Sequence, residues 1–211
     1  MQLKRDDRGV TLIEVLVSVV ILGIIIAPLS AALIAFLRNT DDTTRRMDES
    51  HDVQITAAYF TQDVQAIGVR DWSTSPYRLR QSIELNAPFN SGLYPCGATG
   101  TPNALVRFAW DDPRSAAANP VVIAASYVVM PSTDGLEQQL HRITCADGVV
   151  QSDVVLAHNV DGVLSPPGCP TPADCTTVPL PQTVSLQLNI KDPGNTGAAL
   201  AVTLTAQRRQ T

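Results

Sequence analysis

Glu14 is the one ionisable side chain in a 28-residue apolar run from Val10 to Leu37. A carboxylate costs about 2.5–3.5 kcal/mol at the centre of a membrane helix on insertion scales, and less about one turn from the apolar end, where Glu14 stands. A segment that served only as an anchor has no reason to carry that cost. The other residues with chemical potential are Cys96, Cys145, Cys169 and Cys175, all well after the apolar run. An even number of cysteines in an exported region favours disulfides. Zinc would need paired short spacings or nearby histidines, yet only Cys169 and Cys175 are close, and His51, His141 and His158 are scattered. Four cysteines allow three connectivities. A Cys169–Cys175 bridge would pin the proline-rich stretch 164–182, leaving Cys96 to pair with Cys145.

No GxSxG, Walker-type loop, HExxH or GxGxxG occurs, so no catalytic site is expected. Asp111, Asp112 and Asp134 read as turn residues, and His141 near Glu137 as a solvated strand pair. Asp147, Asp161 and Asp174 lack the spacing of an EF-hand, so neither a metal nor another cofactor is expected. The chain has 211 residues and a net charge of −5. Without a basic tract beyond the N-terminus, a wide nucleic-acid surface is disfavoured, though a small local patch is compatible with the sequence. Fifteen prolines and twelve glycines point to a loop-rich, β-leaning body, and the 5% aromatic content leaves its core to Val, Leu, Ile and Ala.

The apolar run is long enough, at about 1.5 Å per residue, to cross a bilayer core of about 30 Å. Lys4, Arg5 and Arg8 before it fit a cytoplasmic N-terminus, which would put Arg38 and all that follows outside. A secretory signal peptide would be cut after Ser30-Ala31-Ala32, but apolar sequence continues to Leu37. A plain anchor explains the length and leaves Glu14 unexplained.

The string Gly9-Val10-Thr11-Leu12-Ile13-Glu14 ahead of an apolar helix resembles the class III signal of type IV prepilins and type II secretion pseudopilins. Val10, where phenylalanine or methionine is commoner, and the acids Asp6 and Asp7 in the leader are mild departures. The resemblance implies that a prepilin peptidase cuts after Gly9 and methylates the new amine of Val10. It further implies that Glu14, fifth in the mature chain, neutralises the amine of a neighbouring subunit during assembly. Glycine at the cut lets backbone enter a narrow protease site. Pairing the two charges relieves a burial cost that each bears alone. Gly23 and Pro28 lie inside the helix; Pro28 removes one helical hydrogen bond and is expected to kink or locally melt it.

No Pro or Gly occurs between Pro28 and Gly68. Val53, Ala57, Phe60, Val64 and Ile67 fall on one helical face, and Gly68 is a fitting stop. One helix is therefore predicted from about Val10 to Ile67. Strands are predicted at 104–110, 121–130, 136–143, 149–157, 183–190 and 199–206, the last two joined by a turn at KDPGNTG. The predicted organisation is a leader at 1–9, a membrane or filament-core helix at 10–37, its amphipathic continuation at 38–68 and an extracytoplasmic β-rich head at 69–211. The fold class is α+β, with a long N-terminal helix packed on an antiparallel sheet as in type IV pilins.

The strand around Tyr127-Val128-Val129, then Leu140-His141-Arg142, then VVLAHNVDGV and a tail ending in Arg208-Arg209, is loosely similar to minor subunits of the PilW and PulJ/GspJ type, as is AYFTQDVQAIG at 58–68. That similarity implies a minor pilin or pseudopilin of a type IV pilus or type II secretion-like filament. Its partners would be other pilin or pseudopilin subunits, the prepilin peptidase and a membrane-spanning assembly platform. It would start as a single-pass inner-membrane protein and end in the filament. The alternative is a filament-tip module that binds DNA or a surface ligand. Loss of the leader, with three basic and two acidic residues, takes the chain from −5 to −6, which disfavours nucleic acid as a partner.

Overall fold

A computed structural model describes residues 11–112, 114, 120–161, 169, 175–191 and 199–209. The chain divides into two compact units, Met1–Met47 and Asp48–Thr211. Helix α1, Leu12–Ala66, begins in the first and ends in the second.

In the first unit α1 makes no core. The large apolar side chains between Leu12 and Leu37 are 48% to 86% exposed. The helix stays helical through Gly23 and Pro28. Ser18, Thr40 and Thr43 satisfy their hydroxyls locally by donating to the carbonyls of Glu14, Phe36 and Asn39, four residues back.

The second unit is built on a five-stranded antiparallel sheet in the order β1-β2-β3-β4-β5, with β1 at Ile83–Ala87, β2 at Ala104–Asp111, β3 at Val122–Pro131, β4 at Gln138–Ala146 and β5 at Val149–Ala157. A hairpin of β6 (Thr183–Ile190) and β7 (Leu200–Gln207) forms a second sheet. Its KDPGNTG turn falls mostly outside the described residues. The predicted strands stand close to their expected positions. β4 starts after Gly135 (φ 73°) and is joined to β5 by a turn through Asp147 (φ 46°) and Gly148 (φ 82°), left-handed geometry that fits tight reversals. β1 was not predicted. It is five residues long, its penultimate residue Asn86 lies in the left-handed region, and Pro88 follows its last residue. Only its ladder to β2, with Leu85 opposite Val106, marks it as a strand.

Because side chains alternate along a strand, the register sorts the sheet into two faces. One face carries the row Leu85, Val106, Tyr127, Arg142 and Val154. Phe60, Val64 and Ile67 of α1 pack on this side, in one core with Phe108, Leu140 and Leu156 and with Val184, Leu186 and Leu188 of the hairpin. The rings of Phe60, Phe108 and Tyr127 meet edge to face, with centroids 5.8 to 6.1 Å apart. Three aromatics thus anchor a core otherwise made largely of aliphatic residues.

The opposite face carries Glu84, Arg107, Ser126 and Ile143 in one row. The segment between β1 and β2 supplies Tyr94 and Cys96 to a smaller core there, with Ala109, Ala124, Val128 and Cys145. Arg107 is fully buried and ties this segment down. It meets Glu84 at 3.0 Å and donates to the carbonyls of Pro88 and Ser91 and to the Ser126 hydroxyl. Glu84 in turn accepts from the amides of Leu93 and Tyr94. Gly92 (φ 101°) stands where any Cβ would strike the Glu84 carboxylate.

Candidate functional site

Two regions concentrate chemistry: the apolar start of α1, and the contact between the end of α1 and the sheet. Glu14 lies in the first turn of α1. No cation among the described residues reaches its carboxylate. Gly9 and Val10 lie outside the described residues. Among the described residues Glu14 therefore sits on an exposed helix face, a carboxylate with no counter-charge among exposed leucines, isoleucines and valines.

The end of α1 is held by polar groups that the apolar periodicity did not reveal. Asp63 is completely buried between Phe60 and Ile67. Its carboxylate accepts from Arg142 Nε at 2.7 Å and from Arg142 Nη2 at 2.6 Å, a two-pronged ion pair, and from the Tyr127 hydroxyl at 2.8 Å. Arg142 also lies over the Tyr59 ring, 4.9 Å from its centre. Burial, and then the Asp63 charge, push the Tyr127 hydroxyl well above its ordinary pKa, so it remains a donor. Burial works against the charge on Arg142, but the hydrogen bonds and charge of Asp63 more than offset it and leave its pKa raised. The cluster joins helix, β3 and β4 at one point.

Two further contacts lie a few turns earlier on the same face. Thr56 donates to the Leu156 carbonyl at 3.2 Å. Asp52 accepts from the His158 amide at 2.8 Å and approaches His158 Nδ1 at 3.1 Å. Asp52, Thr56, Phe60, Asp63 and Ile67 form a stripe in which polar and apolar side chains share one buried face. The signal was present as an acid at helical spacing among apolar residues, but its partner Arg142 is 79 positions away.

The structure joins Cys96 to Cys145, with a Cα separation of 5.6 Å, and Cys169 to Cys175, at 5.5 Å. The first clamps the segment before β2 onto β4. His141 finds its carboxylate in Asp153 of β5, 2.8 Å away, rather than in Glu137, and its side chain is mostly buried. Cross-strand geometry decided that pairing, since His141 and Asp153 are diagonal neighbours on one face. Among the described residues no three His, Cys, Asp or Glu side chains converge to hold a metal ion. Asp147 accepts from the Val122 amide, Asp161 pairs with Lys191, and Asp174 lies outside the described residues.

The helix Leu12–Ala66 contains an 18-residue window of mean hydropathy 2.8 with none of it buried, long and apolar enough to cross a membrane. Residues 4–30 match the family described as the prokaryotic N-terminal methylation motif. The chain carries a type IV pilin signal. This signal, with an exposed apolar helix long enough to cross a membrane, supports a type IV pilin-like, prepilin-processed protein. The signal points to a structural subunit that assembles with other pilin subunits, rather than to an enzyme. No curated protein matches the chain, and no solved structure does.

Proposed function

We propose that the protein is a minor pilin or pseudopilin, a structural subunit of a type IV pilus or type II secretion-like filament. Prepilin peptidase cuts between Gly9 and Val10 and methylates the Val10 amine. The leader is 1–9, residues 10–37 are the membrane and filament-core helix, 38–68 its amphipathic continuation and 69–211 the extracytoplasmic head. Pro28 is the point at which the core helix bends when it is drawn from bilayer to filament. The match at residues 4–30 carries this reading. Two physical features support it. The apolar side chains from Leu12 to Leu37 have no partner within their own unit, as expected of a helix whose neighbours are lipid or other subunits. Glu14 has no counter-charge among the described residues, and a neighbour's Val10 amine would supply one.

The minor-subunit assignment rests on the PilW- and PulJ-like tail and the loop-rich head. Replacing Glu14 tests the assembly role. Glu14→Ala should be processed normally and remain in the membrane fraction, yet fall at least several-fold in sheared filaments. Incorporation equal to wild type would refute the charge pairing.

A further inference from the structure

The first charged residues after the apolar run are Arg38, Asp41, Asp42, Arg45 and Arg46, all on α1 and all in the first unit. Arg45 is half-buried and the other four are exposed. At about 100° per residue the five fall within about 140° of one another on the helix surface. The uncharged Asn39, Thr40, Thr43, Thr44 and Met47 take the rest of the circumference. The charged stripe has two flanks. One carries Asp42 and then Arg46; the other carries Arg38, Asp41 and Arg45. The sign of charge alternates along each.

Charges three and four residues apart also serve pairs within one helix, and Asp42 does meet Arg45 in this way. That pair is exposed, at 62% and 37% of the two side chains, so it is worth little and competes weakly with other contacts. Asp41 and Arg46 are different. They stand five residues apart, about 140° around the helix, and so face away from each other on one chain. Two parallel copies placed level would set Asp42 against Asp41 and Arg46 against Arg45, like against like. Advancing one copy by four or five residues, about 6–7.5 Å along the axis, sets Asp42 opposite Arg38 of its neighbour and Arg46 opposite Asp41 of its neighbour. The contact proposed between Glu14 and a neighbour's Val10 amine requires a stagger of four residues in the same direction. One displacement relates every part of two copies, so a stagger set at the N-terminus holds at the neck as well.

We propose that this neck of α1 docks a second copy of the chain and sets the register between them, with Arg46 paired to Asp41 of the neighbour and Asp42 to its Arg38. Charges arranged in this way fix register and reject the level placement more than they add affinity. One flank meets the opposite flank, so the contact is heterologous and repeats without closing, as a filament requires. The inference rests on the filament reading above and adds to it the identity of the neighbour and the stagger.

The test uses the full chain carrying Arg46→Lys, which keeps the charge, in membranes and sheared filaments treated with a carbodiimide. That reagent joins a carboxylate to a lysine amine only when the two are in contact. A covalent dimer should form, peptide mass analysis should find Asp41 joined to the lysine at position 46, and Asp41→Asn should reduce the dimer at least several-fold. If Arg46→Lys is recovered poorly in filaments, Arg38→Lys tests the second contact, and its dimer should carry a link from Asp42. A product that stays monomeric, with position 46 joined only to Asp42 or Glu49 of its own chain, would overturn the proposal and leave these charges as support for a single helix. So would a dimer of undiminished yield in Asp41→Asn. The N-terminal peptide of the same sample separates the two claims: a chain that begins at Val10 and yields no dimer overturns the register alone, whereas a chain that keeps its leader overturns the filament reading and the register with it.

Discussion

Asp63→Ala should unfold the head more readily than any single apolar truncation of comparable size on α1. The carboxylate is fully buried and accepts three hydrogen bonds, two from Arg142 and one from Tyr127. Removing it leaves a guanidinium with 9% side-chain exposure without its counter-charge, and a buried hydroxyl without its acceptor. Breaking a buried ion pair on one side costs about 3–5 kcal/mol. The Tyr59 ring retains some hold on Arg142, which places the expected loss near the lower end, at about 3 kcal/mol. Chemical unfolding followed by the fluorescence of Trp72 and Trp110, both in the head, would measure it. The double replacement Asp63→Leu with Arg142→Met removes both charges and should recover most of the loss, because the cost lies in the orphaned charge rather than in the pair. A loss below about 1 kcal/mol for Asp63→Ala would refute the claim that this cluster holds helix to sheet, since that is the range of a solvated surface pair.

Two further outcomes follow from the same head. The Cys96–Cys145 bridge spans 49 residues and the Cys169–Cys175 bridge 6, so chain-entropy estimates give about 4 and about 2 kcal/mol respectively; Cys96→Ser with Cys145→Ser should lower the unfolding midpoint more than the other pair of replacements, and the reverse order would contradict the estimate. Hydrogen bonds hold the carboxyls of Asp71, Asp112 and Asp134 below their ordinary value, through Ser73, the Arg114 amide, and Ser132 with the Leu136 amide. A folded pKa below the unfolded one adds stability above the ordinary carboxylate pKa and loses it as pH falls through the lowered values. Amide exchange around these turns should therefore rise in acid while β3 and β4 stay protected.

Much of the fold was legible in the sequence because its signals are local. The unbroken stretch from Pro28 to Gly68 and the stripe ending at Ile67 marked the helix, and α1 ends at Ala66. Alternation in TVSLQLNI and ALAVTLTA marked the closing hairpin. What stayed hidden depends on contacts between distant residues. β1 is too short to carry a period and exists through its ladder to β2. Asp63 and Arg142 look like surface charges until the fold brings them together, and so do Glu84 and Arg107. At the N-terminus the situation reverses: the methylation motif over residues 4–30 is a linear signal, and Gly9, Val10 and Glu14 within it are the residues we propose a peptidase and a neighbouring subunit recognise.

That signal makes the most direct test available. Intact-mass and N-terminal peptide analysis of the protein recovered from membranes should show a chain that begins at Val10 with a methylated amine, and the full-length chain when prepilin peptidase is absent. A mature chain beginning after Ala32, or one that keeps its first nine residues with the peptidase present, would contradict the assignment.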